Sequence, residues 1–207
     1  MSVDDRAEMV RVLKRYGIRD RRVLEAMARV PRDEFVREQD RDVAYGDHAL
    51  GIGEGQTISQ PYVVARMTEL LATEPHHRVL EVGTGSGYQA AVLAELVREV
   101  VSVERHAALA DAARERLEGL GYGNVKVIAA DASLGWPVEA PYDRIIVTAA
   151  SPGIDPALAA QLTFDGRVVA PIGDRDRQEL VVRYANGREE HHGPVRFVPL
   201  RGQAGFE

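Results

Sequence analysis

Cysteine is absent from the 207 residues, which excludes disulfide frameworks, thiolate metal sites and cysteine nucleophiles together. Lysine is scarce as well. Only Lys14 and Lys126 accompany 24 arginines, a bias that reads as codon composition and not as a nucleic-acid surface. The formal net charge is −6, which argues against a protein whose affinity comes from neutralising phosphates. No apolar run approaches the roughly 20 residues that cross a bilayer. Asp4, Asp5 and Glu8 stand where a signal peptide would be apolar, so a cytoplasmic location is expected. A 45% hydrophobic fraction is ordinary for a folded chain, and residues 1–207 are expected to form a single domain.

What is present changes character near residue 56. Before it, Val10, Leu13 and Tyr16 recur at helical spacing, and Val23, Leu24, Met27 and Val30 do so again behind Asp20, a candidate N-cap. Pro31 should close that second helix. The stretch 33–55 is rich in charge and then in glycine, which predicts an irregular connection outside the core. Beyond it, β-rich runs at 78–83, 99–104, 125–131, 143–150 and 166–173 alternate with helical patterns at 61–71, 88–97, 107–117 and 156–162. Runs apolar on both faces predict a parallel sheet covered on each side. Asn186-Gly187 is a hairpin signal, so the sheet should finish with antiparallel strands. The expected fold is α/β: a doubly wound, mostly parallel, Rossmann-like sheet over 56–207. An N-terminal helical extension and loop over 1–55 would cover the substrate.

The chemistry gathers where strand 78–83 meets Gly83-Thr84-Gly85-Ser86-Gly87. Glycines at a strand-to-helix turn admit positive φ and close approach of a ligand. Alone, they fit a plain tight turn equally well. Three acids sharpen the choice. Glu104 ends the next strand, placed to accept from two ribose hydroxyls. Asp131 ends the third and suits the exocyclic amine of an adenine. Glu81 precedes the glycines, where its charge would repel a pyrophosphate. The spacing is G-x-G-x-G, with Tyr88 where a dinucleotide loop has its third glycine. A ligand with a cationic amino-acid tail fits better, which favours S-adenosylmethionine (SAM) over NAD. The candidate cofactor residues are Glu81, Gly83, Thr84, Gly85, Gly87, Glu104, Asp131 and Ala132.

Residues 51–61, GIGEGQTISQP, together with RVLEVGTGSGYQAA, SVER, PYDRIIVTAA and RFVPL, resemble the protein-L-isoaspartate O-methyltransferase family. The likeness spans about residues 20–200, and Gln-Thr-Ile-Ser-x-Pro is its specific element, since generic methyltransferases share only the loop and the acids. It implies a SAM-dependent methyltransferase fold and methylation of the free α-carboxylate of L-isoaspartyl residues in damaged proteins. The ester then collapses unaided to a succinimide, which partly hydrolyses to aspartyl. By position, Ser59 matches the family's active-site serine, and Thr57 and Ile58 line the same element. Val198 and Leu200 match the C-terminal strand that cradles the peptide. The chain departs from the family in having Ala130-Asp131-Ala132 where Gly-Asp-Gly is common, and Arg201 where some relatives have threonine. The implied partners are isoaspartyl proteins and peptides, acted on by a monomer that engages neither nucleic acid nor membrane.

An α-carboxylate with a pKa of about 3.5 is already ionised at neutral pH, so such a reaction needs alignment more than a base. A covalent serine would need a base, and Ile58, Gln60 and Pro61 offer none. Ser59 also stands two residues before a helix-initiating proline, so Ser59 or Gln60 fits an N-cap. The resemblance implies instead a hydroxyl that orients the carboxylate, at a helix N-terminus suited to anions. The pairs His76-His77 and His191-His192 lack the i, i+4 spacing of helical metal ligands; they are expected to be solvated, with no metal bound. Trp136 is expected to pack, and Asp143 to serve a turn or cap. A nucleic-acid methyltransferase would carry a base-holding N/D-P-P-Y motif, whereas Ser151-Pro152-Gly153 follows 143–150.

Overall fold

A computed structural model describes residues 3–206. Its centre is a seven-stranded sheet, numbered after a small N-terminal hairpin of β1 (Leu50–Gly53) and β2 (Gln56–Ile58). The strands are β3 (Arg78–Val82), β4 (Glu99–Glu104), β5 (Val125–Ala129), β6 (Tyr142–Val147), β7 (Leu162–Gly173), β8 (Gln178–Tyr184) and β9 (Glu189–Val195). They lie in the order β5-β4-β3-β6-β7-β8-β9. β5 to β7 pair in parallel, and β8 and β9 add antiparallel strands, as the hairpin signal predicts. Gly187 turns at φ +85°, and its N–H donates to the Tyr184 carbonyl at 2.9 Å.

Alternation along each strand separates two apolar layers. Val79, Val100, Ile146 and Val169 face one, while Leu80, Val101, Ile145 and Val168 face the other. The first layer is covered by α3 (Pro61–Leu71), α4 (Tyr88–Ala94) and α5 (Ala107–Gly119), with α1 (Val3–Arg15) and α2 (Arg21–Arg29) packed outside them. The second has a thinner cover: α6 (Pro156–Ala159) and a loop containing Trp136 and a 3-10 turn, Pro137–Glu139. Asp20 caps α2, accepting from the N–H groups of Arg22 at 2.8 Å and Val23 at 3.4 Å.

Three expectations change. The stretch 33–55 is not peripheral: Phe35, Val36 and Ala44 are buried in the first layer, as is Arg32 just before it. Short 3-10 helices, Arg32–Phe35 and Glu38–Val43, fold it back on α3 and α4. The helix expected to reach residue 97 stops at Ala94, and Leu96 and Val97 are buried beyond its end. The helix expected over 156–162 is a single turn, because the long β7 already begins at Leu162 opposite Tyr142.

Chain order reverses direction at β3, which has β4 on one side and β6 on the other. Parallel sheets bind ligands at such a switch point, beyond the carboxyl ends of the strands. Leu80 lies in this central strand and is wholly buried. Leu80→Ala is expected to cost about 2–5 kcal/mol of unfolding free energy in urea titrations, and a cost below about 1 kcal/mol would contradict this packing.

Candidate active site

At the carboxyl edge, the turns after β3, β4, β5 and β6 converge on one cleft with about 900 Å³ of free space, part of it open to solvent. Gly83 leaves β3 at φ +98°, and a Cβ there would collide with the Thr148 hydroxyl after β6. Gly87 caps α4 at φ +90°, where a Cβ would press on Leu117 at 3.3 Å. Gly83, Thr84 and Gly85 line the cleft; Gly87 does not, so its role is to turn the chain into α4.

Glu104 is 6% exposed and lines the cleft. One carboxylate oxygen accepts from the Gly85 N–H and the other from the His106 N–H, both at 2.9 Å. An ionised carboxylate offers about four acceptor positions, so capacity remains for a ligand. Asp131 is held similarly, accepting from Ser133 N–H at 2.9 Å and from Gln203 N–H at 3.1 Å. Burial raises its pKa, but these bonds outweigh burial and hold it below the usual aspartate value. The 201–206 tail therefore folds over this acid, and a Cβ on Gly202 would collide with its carboxylate. Ala132 lines the cleft beside it.

Glu81 is the correction. It is fully buried and does not line the cleft. It lies opposite Ser102 in the β3–β4 ladder, and the Ser102 hydroxyl donates to it; the Thr84 hydroxyl is 2.5 Å from Ser102 in turn. Its other oxygen has no hydrogen-bond partner among the described residues. Burial raises its pKa to about 8, with the Ser102 bond opposing and Glu104 adding to the rise. Glu81 is thus a neutral acid supporting the glycine loop from behind, not a charge presented to a ligand.

The opposite wall comes from β2 and the chain entering α3. Thr57, Ile58 and Ser59 all line the cleft: Thr57 is exposed, Ile58 buried and Ser59 half-buried. The N-cap position of α3 is Gln60, but the capping side chain belongs to Asp47, which accepts from Tyr62 N–H at 2.8 Å and from the Gln60 amide at 3.3 Å. Of the two candidates it is therefore Gln60, not Ser59, that stands at the N-cap, and the anion that the helix N-terminus suits is already supplied by Asp47. The Ser59 hydroxyl has no hydrogen-bond partner among the described residues. Its carbonyl accepts from Arg32 at 2.8 Å. Val198 and Leu200 complete the lining; they are pinned beside β6 by Ala150, whose N–H donates to Val198 at 2.8 Å and whose carbonyl accepts from Leu200 at 2.6 Å. This is an isolated bridge at Pro199, not a strand of the sheet.

Helices α1 and α2 stand away from the cleft, so the N-terminal contribution to it comes from the β1–β2 hairpin. Ile52 would lie 3.4 Å from a Cβ on Gly85, and Glu54 reaches His106 at 3.8 Å. Thr148, His106 and Phe197 also line the cleft and were not singled out from the sequence, and Arg201, noted there as a departure from the family, lines it too. Thr148 and His106 follow strand ends and Phe197 lies within RFVPL, signals that were available.

Among the remaining candidates, Trp136 packs in the second layer and Asp143 accepts from Arg78 N–H at 2.7 Å. The histidines do not all behave as solvated side chains. His77 is 4% exposed and accepts at Nδ1 from Glu74 N–H, and burial with Arg144 nearby lowers its pKa. His192 is partly buried beside Glu190 and Arg66. Among the described residues no group of three or more His, Asp or Glu is arranged to hold a metal, and no helix is long and apolar enough to cross a membrane.

The chain matches the sequence model of the protein-L-isoaspartate(D-aspartate) O-methyltransferase family over residues 4–205. It is 54% identical over 194 residues to protein-L-isoaspartate O-methyltransferase 1 of Syntrophobacter fumaroxidans, covering 92% of this chain and 91% of the relative. The Methanoculleus marisnigri protein-L-isoaspartate O-methyltransferase is 54% identical over 207 residues, with 98% and 94% covered. A solved protein-L-isoaspartate O-methyltransferase superposes with a TM-score of 0.87 at 30% identity, over 97% of this chain and 67% of that one. A Plasmodium falciparum chain assigned to the same enzyme class, solved with S-adenosyl-L-homocysteine, gives 0.81 at 25% identity, over 95% and 98%.

The buried acid generates a test. Glu81 has a folded-state pKa near 8 against 4.5 for the free group, so the native state binds the extra proton between them. Its contribution to stability is whole below about pH 4.5 and is lost as pH rises towards about 8. Urea midpoints of the wild type should fall across that window, whereas Glu81→Gln, neutral throughout, should show a flatter profile and be the more stable at about pH 8. Parallel profiles would contradict a neutral Glu81.

Proposed function

The chain belongs to the protein-L-isoaspartate O-methyltransferase family, and we propose that its cleft transfers the methyl group of SAM to the free α-carboxylate of L-isoaspartyl residues in damaged proteins and peptides. The residues present fit SAM. Gly83 and Gly85 leave a backbone cradle, Glu104 keeps acceptor positions free towards the cleft, and Asp131 adds a second acid at the same edge. Glu104 would take the ribose hydroxyls and the glycine loop the amino-acid tail. Asp131 and Ala132 would border the adenine; both Asp131 oxygens already accept a backbone N–H, so it would share them. When bound, SAM supplies an electrophilic methyl group on a positively charged sulfur.

The chain's own residues then have a limited task. The substrate carboxylate, with a pKa of about 3.5, arrives ionised, so no residue need remove a proton. The Ser59 hydroxyl donates a hydrogen bond to one carboxylate oxygen and turns the other towards the methyl group. Thr57 and Ile58 hold the substrate backbone on one side, Val198 and Leu200 on the other. Ile58, Val64, Met67 and Leu200 keep water from the reacting atoms. Orientation of this kind contributes up to about 7–11 kcal/mol in favourable cases. The observation that carries the reading is that Ser59, its backbone fixed and its hydroxyl without a partner among the described residues, lines the same cleft as the glycine loop and Glu104.

The proposal includes residues 1–207 acting as a single unit, since the N-terminal helices share an apolar layer with α3 and α4. It also includes a monomer acting in the cytoplasm on protein and not on nucleic acid or membrane; the net charge of −6 disfavours a phosphate-backbone partner.

Two measurements on one peptide pair test it. With labelled SAM, methyl incorporation is expected in the isoaspartyl peptide and not in its aspartyl isomer. Ser59→Ala should lower that incorporation at least about tenfold, the loss of one charge-assisted hydrogen bond, and leave SAM affinity nearly unchanged. Equal labelling of both isomers, or an unimpaired Ser59→Ala, would count against it.

A further inference from the structure

We propose that Arg32 is a positioning residue for the anionic substrate: its buried guanidinium, fixed to the Ser59 carbonyl, supplies the positive field that draws a carboxylate to the Ser59 hydroxyl. The inference rests on the role given to Ser59 above and extends it to a residue that does not line the cleft.

Arg32 is wholly inaccessible to solvent. Nε donates to the Ala44 carbonyl and Nη2 to the Ser59 carbonyl, each at 2.8 Å, and the guanidinium carbon sits 4.8 Å over the Tyr88 ring. Nη1 has no hydrogen-bond partner among the described residues. No carboxylate among them lies within ion-pairing distance of the group. Burial lowers its pKa, with Tyr88, Asp47 and Tyr45 opposing, and an arginine so placed still carries its charge at neutral pH. Folded proteins rarely bury a charge without a counter-charge, because desolvation is costly and two neutral carbonyls offset only part of it. A fastener for two carbonyls would not require a charge. An anion arriving nearby would.

The surroundings give that field a direction. Ser59 and Tyr88, which Arg32 touches, both line the cleft. Asp47, the carboxylate that favours its charge, lies across the Ser59–Gln60–Pro61 turn and lines a different groove with Glu8 and Met9. Arg32 thus touches residues of the cleft wall, whereas Asp47 lines the other groove. The N-terminus of α3 is no substitute, since Asp47 already accepts its Tyr62 N–H. Arg105 and Arg201 also border the cleft, but both are exposed and so open to screening by salt, unlike a buried charge.

The test compares two peptides that differ only at the reacting group: an isoaspartyl peptide and its counterpart with the α-carboxylate replaced by a carboxamide. Their affinities for the SAM-loaded enzyme are measured by competition. The wild type should prefer the carboxylate. Arg32→Gln, which keeps a donor for a carbonyl but removes the charge, should weaken the carboxylate peptide about tenfold, or about 1.4 kcal/mol, and leave the carboxamide peptide unchanged. Arg32→Lys should retain the preference, and SAM affinity should stay constant in both variants. Equal weakening of the two peptides would make Arg32 a structural fastener and overturn the proposal. A wild type that methylates the isoaspartyl peptide yet shows no carboxylate preference would overturn it while leaving Ser59 in place. An unimpaired Ser59→Ala would remove the reading beneath both. Should Arg32→Gln fail to fold, the salt dependence of the wild-type preference decides. Persistence from about 0.05 to 0.5 M salt supports the buried charge, and collapse assigns the preference to exposed arginines.

Discussion

The Glu104 carboxylate, fixed by the N–H groups of Gly85 and His106, is the contact on which the rest of the site depends. It ties the turn after β4 to the turn after β3 at the place where the sheet reverses order. Gly85 can reach it only because Gly83 takes a conformation open to glycine and lies against Thr148 from the far side. Three neighbouring strands thus contribute to one rigid wall, and the acid keeps free acceptor positions because backbone donors occupy only part of its capacity. The uncharged Glu81–Ser102–Thr84 chain supports the same loop from the sheet interior. Two carboxylates close in space differ here: Glu104 lines the cleft, whereas Glu81 is fully buried and its pKa is pushed up to about 8.

The second wall is assembled over long sequence distances. Asp47 takes over the capping of α3 and Arg32 holds the Ser59 carbonyl, so the serine backbone is fastened from both sides while its hydroxyl stays free. Positioning of this sort suits a reaction whose nucleophile is already ionised and whose methyl donor is already activated. Chemistry needing no acid, base or thiol is consistent with a chain that has no cysteine and no catalytic histidine in the proposed mechanism.

Much of this was legible from local pattern. Alternation of Val79 with Leu80 and of Val100 with Val101 foretold strands buried on both faces. Asp20 read correctly as a cap, Asn186-Gly187 as a hairpin and Glu104 as the acid at a strand end. What escaped was non-local. Arg32 sits among charged neighbours and Asp47 in an irregular stretch, and only the folded chain brings them to a turn that begins 27 residues after one and 12 after the other. Glu81 looked like a ligand-facing acid because sequence shows charge but not register; opposite Ser102 in the ladder it is interior. His77 escaped for a related reason: it belongs to the turn that starts β3, where its ring binds Glu74 N–H.

The most direct test of this account is the affinity for SAM of the wild type and Glu104→Gln, measured by titration calorimetry with the fold checked by circular dichroism. Loss of the charge removes hydrogen bonds worth about 1.5–3 kcal/mol each. SAM should therefore bind the variant at least about tenfold more weakly than it binds the wild type. A folded Glu104→Gln that binds SAM as tightly as the wild type would contradict the claim that this carboxylate organises the site.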